Sequence, residues 1–334
     1  MVWKKKKLKK TLKSRKPKLI GSIGDSLREV CGKELTRLGQ KYLNLVVLDA
    51  DVAGGTGMHH FRKKYPKRFI QCGIAEQNMM AMAGGIAATG LVPVVTTFAV
   101  FMLRAIEQAR LSIGYSNMNV KLIASHPGLD VGPDGASAQC LEDLACYRSI
   151  PNFVVISPCD PFEAKLATKA ILDYKGPVYM RTGRSETTNI LKTNYEFRIG
   201  VSKVLKEGTD ISIIACGVMV SRALQAADIL EKEHINCRVV NMSTIKPIDE
   251  NMIIKCAIET KGIVTAEDHN IIGGLGGAIA EVLSKKKPTL TRFIGVRDTF
   301  GESGEPAELA EKYFIDANSI VKTVKELFKK VTNE

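Results

Sequence analysis

The chain has 334 residues, 45% hydrophobic and 25% charged, a composition that suits a soluble protein of two ordinary domains. It contains no uninterrupted apolar run of roughly 18 residues, so nothing in it is expected to cross a bilayer. The formal charge of +13 invites a nucleic-acid reading, but residues 1–18 hold nine lysines, Arg15 and no acid, leaving only +3 for the rest.

In chain order, residues 1–18 read as a basic disordered tail, too poor in apolar residues for a signal peptide. From residue 19 to about 190, β-rich runs alternate with helical segments. A helix near 26–40 precedes strand 43–50 (LNLVVLDA), a helix headed by Glu76, strand 92–98 (VPVVTTF) and the segment 100–113. Strand 120–125, a helix near 140–148, strand 153–157, a helix over 161–172 and strand 177–181 complete this unit. A polar stretch over 187–198 reads as a linker. A second alternating unit over 200–334 follows, with strands at 211–217, 237–242, 262–268 and 291–296 and helices between and after them. The fold class is therefore α/β, two consecutive parallel-sheet domains whose near-continuous apolar strands fit sheets covered on both faces.

The Glu76 helix, in GIAEQNMMAMAGGIAATG, carries Met79, Met80, Met82 and Ile86 and offers no polar face, so it is expected to be buried. Gly84, Gly85, Ala87 and Ala88 would let a second helix approach closely. A buried carboxylate needs a proton or a partner; alternatively, Glu76 answers only the preference for acids in a first helical turn.

Ligands of open parallel sheets bind at the carboxyl ends of strands. Asp49, Asp51, Thr96, Thr97 and Ser125 fall at such ends, as does His126, which opens a Gly- and Pro-rich loop with Asp130, Asp134 and Gln139. Arg181 and Arg184 follow another strand end and could clamp an anion. Glu267, Asp268 and His269 end a strand of the second unit. GGTG at 54–57 and GGLGG at 273–277 lack the further residues of phosphate-loop and dinucleotide fingerprints. Eight cysteines and five histidines show no zinc-type spacing, so no metal site is expected here and the thiols read as reduced in a cytoplasmic protein.

In order along the chain, GIAEQNMMAMAGGIAATGLVPVVTTFAVF, LIASHPGLDVGPDGASAQCLEDLACYRSIPNFVVISPCD, PVYMRTGR, VTAEDHNIIGGLGGAIAEVL and GVRDTFGESGEPAELAEKY closely resemble the C-terminal half of transketolase. The likeness runs from Leu19 onward and is greatest to the separately encoded C-terminal subunit of split transketolases. It implies a thiamine-diphosphate pyrimidine-binding domain followed by a transketolase C-terminal domain, acting in the pentose phosphate pathway. Glu76 then matches the residue that hydrogen-bonds the thiamine pyrimidine, promoting the tautomer that deprotonates the thiazolium. The carbanion so formed transfers a two-carbon ketol unit from a ketose or ketose phosphate to an aldose. By the same resemblance Phe98, Phe101 and Arg104 surround the pyrimidine, Asp51 lies near the cofactor, and His126, Asp134 and Arg184 contact the sugar and its phosphate, His126 also in a catalytic role.

Two departures stand out. The family's GDG motif for Mg2+-diphosphate is absent, Gly24-Asp25 being followed by Ser26, which implies an N-terminal transketolase subunit supplying those ligands, in an α2β2 heterotetramer. Ala138, in DGASAQ, stands where a substrate-contacting His is expected, which puts the sugar substrates in question. Competing readings are the beta subunit of a 2-oxo acid dehydrogenase decarboxylating component and, outside enzymes, a nucleic-acid-binding module using the basic tail.

Overall fold

The computed structural model describes residues 21–332, so the tail expected at 1–18 lies outside the described residues. The first elements are β1 (Ile23–Ser26), α1 (Leu27–Leu38), β2 (Leu45–Asp49), α2 (His59–Lys64), β3 (Phe69–Gln71), α3 (Glu76–Ala88) and β4 (Val92–Phe98). After them come α4 (Ala99–Arg104), α5 (Ile106–Gln108) with a wider helical turn Ala109–Tyr115, β5 (Lys121–Ser125), α6 (Asp143–Ser149), β6 (Val154–Ile156), α7 (Pro161–Asp173), β7 (Val178–Thr182) and β8 (Glu186–Thr188). The remainder is β9 (Lys203–Lys206), β10 (Ile211–Ala215), α8 (Met219–Glu231), β11 (Cys237–Asn241), β12 (Thr244–Lys246) and α9 (Glu250–Glu259). β13 (Gly262–Asn270), α10 (Leu275–Lys286), β14 (Thr291–Val296), α11 (Pro306–Lys312) and α12 (Ala317–Thr332) close the chain.

Among the described residues these strands form three sheets. The largest has the order β12-β6-β7-β5-β4-β2-β3, the second β14-β13-β10-β11-β9, and β1 pairs with β8. Within the two large sheets the pairings are parallel except at one edge each, where β12 meets β6 and β9 meets β11 antiparallel. β5, β7, β10 and β11 are buried at every residue, which is why adjacent apolar pairs such as Leu122-Ile123, Tyr179-Met180, Ile213-Ile214 and Val239-Val240 replace a strict alternation. Two helices start on a side-chain cap: Asp160 accepts the Glu163 N–H at 2.8 Å with Pro161 in the first turn of α7, and Asp249 accepts the Met252 N–H at 3.1 Å to open α9.

The second unit is tied into the first. β12 leaves it to become an edge strand of the larger sheet, a short antiparallel addition absent from the expected strand set. One apolar core runs from Leu48, Val95 and Tyr147 on one side to Ile214, Val240 and Ile279 on the other. At the junction Arg181 pairs with Asp143 of its own unit and donates across to the Asp268 carbonyl at 2.9 Å, while Tyr179 donates to Asp143 at 2.5 Å. Arg181 is thus spent on a buried ion pair and is not free to clamp a ligand, correcting the expectation that it could. Despite its burial Asp143 stays below the usual carboxylate range because the Arg181 charge lies against it.

α3 also departs from expectation. Glu76, Met79, Met80, Ala83 and Gly84 are buried, but Gln77, Asn78, Ala81, Gly85 and Ala88 are exposed. Its approach to a second helix occurs at Gly84, where a Cβ would lie 2.7 Å from the Ser112 carbonyl oxygen.

Candidate functional site

Glu76 opens α3, directly after the tight chain reversal at Gly73, whose φ is 71°. Its side chain is almost fully buried, yet Oε2 has no hydrogen-bond partner. The nearest cation is Arg104, whose Nε stands 3.7 Å from Oε2, beyond hydrogen-bond length, on a side chain that is 68% exposed. Arg104 and Phe101 are three residues apart on α4 and so share a face. Phe101 stacks on Phe98 at the end of β4, with ring centroids 5.3 Å apart and planes 9° from parallel. Phe98 in turn stacks on the His126 imidazole at 3.6 Å.

His126 follows β5 with a left-handed φ of 59°, a conformation that turns the chain sharply into the glycine-rich loop. Its Nδ1 lies 2.9 Å from Ser125 Oγ and its Nε2 lies 3.9 Å from Asp134. Burial, then the Arg28 and Arg184 charges, lower its pKa to about 3, so the ring is neutral at physiological pH. Asp134 also faces Arg184 at 3.4 Å. The predicted residues Glu76, Arg104, Phe101, Phe98, His126, Asp134 and Arg184 therefore form one continuous row.

Asp51 stands apart from that row. It is exposed at the end of β2 with φ 64°, and its link to its surroundings is its own N–H, donated to Gln71 Oε1 at 3.0 Å. The buried carboxylate in that region is Asp49, which accepts from the Val52 N–H at 2.9 Å and Thr96 Oγ1 at 3.2 Å. Burial raises its pKa, and its role is to pin the chain after β2.

The loop after His126 rests on the second unit. Asp268 accepts the Leu129 and Asp130 N–H groups at 2.9 and 3.1 Å, and Gln139 Nε2 donates to the Glu302 carbonyl at 2.9 Å. Glu267 accepts the Leu275 and Gly276 N–H groups at 2.7 and 2.8 Å at the start of α10, and His269 Nδ1 lies 2.6 Å from its neighbour's carbonyl oxygen. Asp268 and His269, whose Nε2 accepts the Ala145 N–H at 3.4 Å, thus tie the two units together, while Glu267 caps α10 within the second. Ala138 is buried within the loop and presents only a methyl group.

Arg28 completes the site, although the sequence reading did not single it out. Nη1 donates to the Gly55 carbonyl at 2.9 Å, Nε is buried without a partner, and burial followed by the Arg184 charge lowers its pKa. The available signal was a cation in the first turn of α1, where the helix dipole disfavours it. Glu76 Oε2, Thr97 Oγ1 and Arg28 Nε are three buried polar atoms left unpaired on these elements. Each costs about 1–3 kcal/mol until a ligand or water satisfies it, as expected of a binding site.

Residues 25–189 match the family model for the transketolase pyrimidine-binding domain and residues 200–320 that for the transketolase C-terminal domain. A Methanocaldococcus jannaschii protein described as "Putative transketolase C-terminal section" is 45% identical, the alignment covering 93% of this chain and 99% of that one. The 6-deoxy-6-sulfo-D-fructose transketolase subunit of a Clostridium species is 38% identical over 90% of this chain and 94% of its own. A solved split-gene transketolase, described as an inactive beta4 tetramer, superposes with a TM-score of 0.86 at 44% identity, covering 92% of this chain and 99% of that one.

Proposed function

The chain belongs to the transketolase family, and on that premise we propose that it is the C-terminal subunit of a split transketolase, active only with an N-terminal partner. Its reaction is transfer of a two-carbon ketol unit from a ketose or ketose phosphate to an aldose, in cytoplasmic pentose phosphate metabolism. Residues 19–190 are the pyrimidine-binding unit and 200–334 the C-terminal unit.

The observation that carries this reading is the orphaned Glu76 Oε2 beside the Phe98–Phe101 stack. A flat, nitrogen-bearing aromatic ring fits both features, so this chain suits the pyrimidine end of thiamine diphosphate. When bound, that cofactor would supply the nucleophilic carbon and the electron sink that ketol transfer needs. Glu76 Oε2 would hydrogen-bond a ring nitrogen, while Phe98 and Phe101 would orient the ring and Arg104 would line its surroundings, with Asp51 farther out after β2. Neutral His126 offers Nε2 to substrate oxygens, binding the sugar and moving a proton at that atom. Asp134 binds sugar hydroxyls. Arg184, joined by Arg28, suits an anionic group on the sugar, either phosphate or the sulfo group named for the Clostridium relative's substrate. With Ala138 contributing no polar group, donor preference is set by the remaining contacts.

The other end of the cofactor does not fit this chain. Among the described residues the group arranged to hold a cation is Glu29 with His59 and His60, a nitrogen-rich set unsuited to Mg2+-diphosphate. Mg2+ and its oxygen ligands are therefore assigned to the partner subunit, in an α2β2 heterotetramer. The description of the solved relative as a split-gene transketolase and an inactive beta4 tetramer supports that dependence. In the reconstituted complex Glu76→Gln should lower ketol transfer by about 10²–10⁴-fold with assembly unchanged by size-exclusion chromatography. Near-normal turnover in that variant would overturn the assignment.

A further inference from the structure

Away from this row of residues, α1 and α2 bring a carboxylate and two imidazoles together. One ligand atom each from Glu29, His59 and His60 lie within 4.8 Å of one another. His60 Nε2 is 3.0 Å from Glu29 Oε2, and the two imidazoles lie with centroids 3.9 Å apart and planes tilted by 39°. A Glu29–His60 hydrogen bond accounts for two of the three side chains. It leaves His59 Nδ1 buried with no partner, an arrangement that costs free energy unless something else satisfies it.

The donor set defines what could. Two imidazoles and one carboxylate match zinc-class ions, with bonds of about 2.0–2.2 Å and a coordination position left for water, whereas Mg2+ and Ca2+ prefer oxygen alone. Ligand atoms already this close need only side-chain rotation to converge on one ion. The spacing rules missed the group because Glu29 sits on a separate helix, far from the His-His pair in sequence.

We propose that Glu29, His59 and His60 bind one divalent transition-metal ion of the zinc class, clamping α1 to α2. The backbones are already in close contact there, since a Cβ on Gly32 would lie 2.1 Å from the Gly57 carbonyl oxygen. Because Glu29 adjoins Arg28, which holds the Gly55 carbonyl, the ion also braces the segment between β2 and α2.

The test is titration of the full, chelator-stripped chain with Zn2+ and Co2+, read by calorimetry and thermal unfolding. The expected result is one ion per chain, a Tm raised by the metal and restored by chelator, and a Co2+ spectrum lacking thiolate charge-transfer bands. His59→Ala/His60→Ala should lose at least about 100-fold in affinity together with the Tm gain. Glu29→Gln, which keeps a hydrogen-bonding group for His60, should lose at least about tenfold and provides the same reading if the double variant does not fold. Undiminished binding in these variants, a thiolate-type spectrum, or no binding to the parent chain would each overturn the proposal.

Discussion

Asp130 shows how far burial shifts a single group at the loop junction. Burial, and then the neighbouring Asp268 charge, push its carboxyl up to about 7 from 3.8. Between those values the folded protein holds a proton that the unfolded chain has released. Stability therefore falls as pH rises through this window, and the loss is complete above about pH 7. Asp130→Asn preserves the shape of the protonated side chain without a charge to expose. It should match the parent near pH 4 and exceed it by about 2–4 kcal/mol at pH 8, measured by denaturant unfolding. A stability difference that does not change with pH would refute this account. His126 runs the other way: its lowered pKa means that the unfolded chain takes up a proton first on acidification, so its contribution weakens the fold below about pH 6.5.

The loop over 126–139 belongs by sequence to the first unit but is held by the second. Gly128 has φ 75°, and a Cβ there would lie 2.2 Å from Asp268 Oδ2, so the loop fits against β13 only because this residue is glycine. Asp268→Asn removes one of the two oxygens that accept the Leu129 and Asp130 N–H groups. Faster hydrogen exchange at those two amides, with a higher KM for the donor sugar and little change in exchange at α3, is the expected outcome; unchanged exchange would show that Asp268 does not hold the loop. This dependence was not legible in the sequence, where Asp268 is one acid among three at a strand end. β10 (ISIIA) and β11 (CRVVN) were legible because burial on both faces leaves β-branched apolar residues side by side, Ile213-Ile214 and Val239-Val240, rather than in alternation. β12 was not, since its three residues Thr244, Ile245 and Lys246 carry no period and their partner β6 lies in the other unit. Most of the site was readable as polar residues at strand and helix ends. Arg28 escaped because nothing short of the fold brings α1 to the carbonyl of Gly55.

At the scale of the whole molecule, the residues left uncovered bear on the proposed two-chain assembly. The exposed face of α3, with Gln77, Asn78, Ala81, Gly85 and Ala88, is small and weakly polar. Nearby, Leu111 and Tyr115 on the turn that crosses α3 are 50% and 81% exposed, and Ile74 just before α3 is 77% exposed. Small residues on one helix face permit close approach of a second surface, and large apolar residues around them lose water when it arrives. Gly85 separates this reading from a purely internal role. A Cβ at Gly85 meets nothing within 4 Å, and the residue lies inside a regular helix, so a larger side chain is accommodated by the chain alone. Gly85→Glu should leave unfolding of the isolated chain within about 1 kcal/mol of the parent, because helix propensity improves and no contact is lost. In the assembly the same carboxylate would be buried without a partner, at a cost of several kcal/mol. Association with the N-terminal subunit should then weaken by at least about 100-fold in sedimentation equilibrium, and ketol transfer should fall with it although Glu76 is untouched. Normal assembly by Gly85→Glu would place the partner on some other face of the molecule.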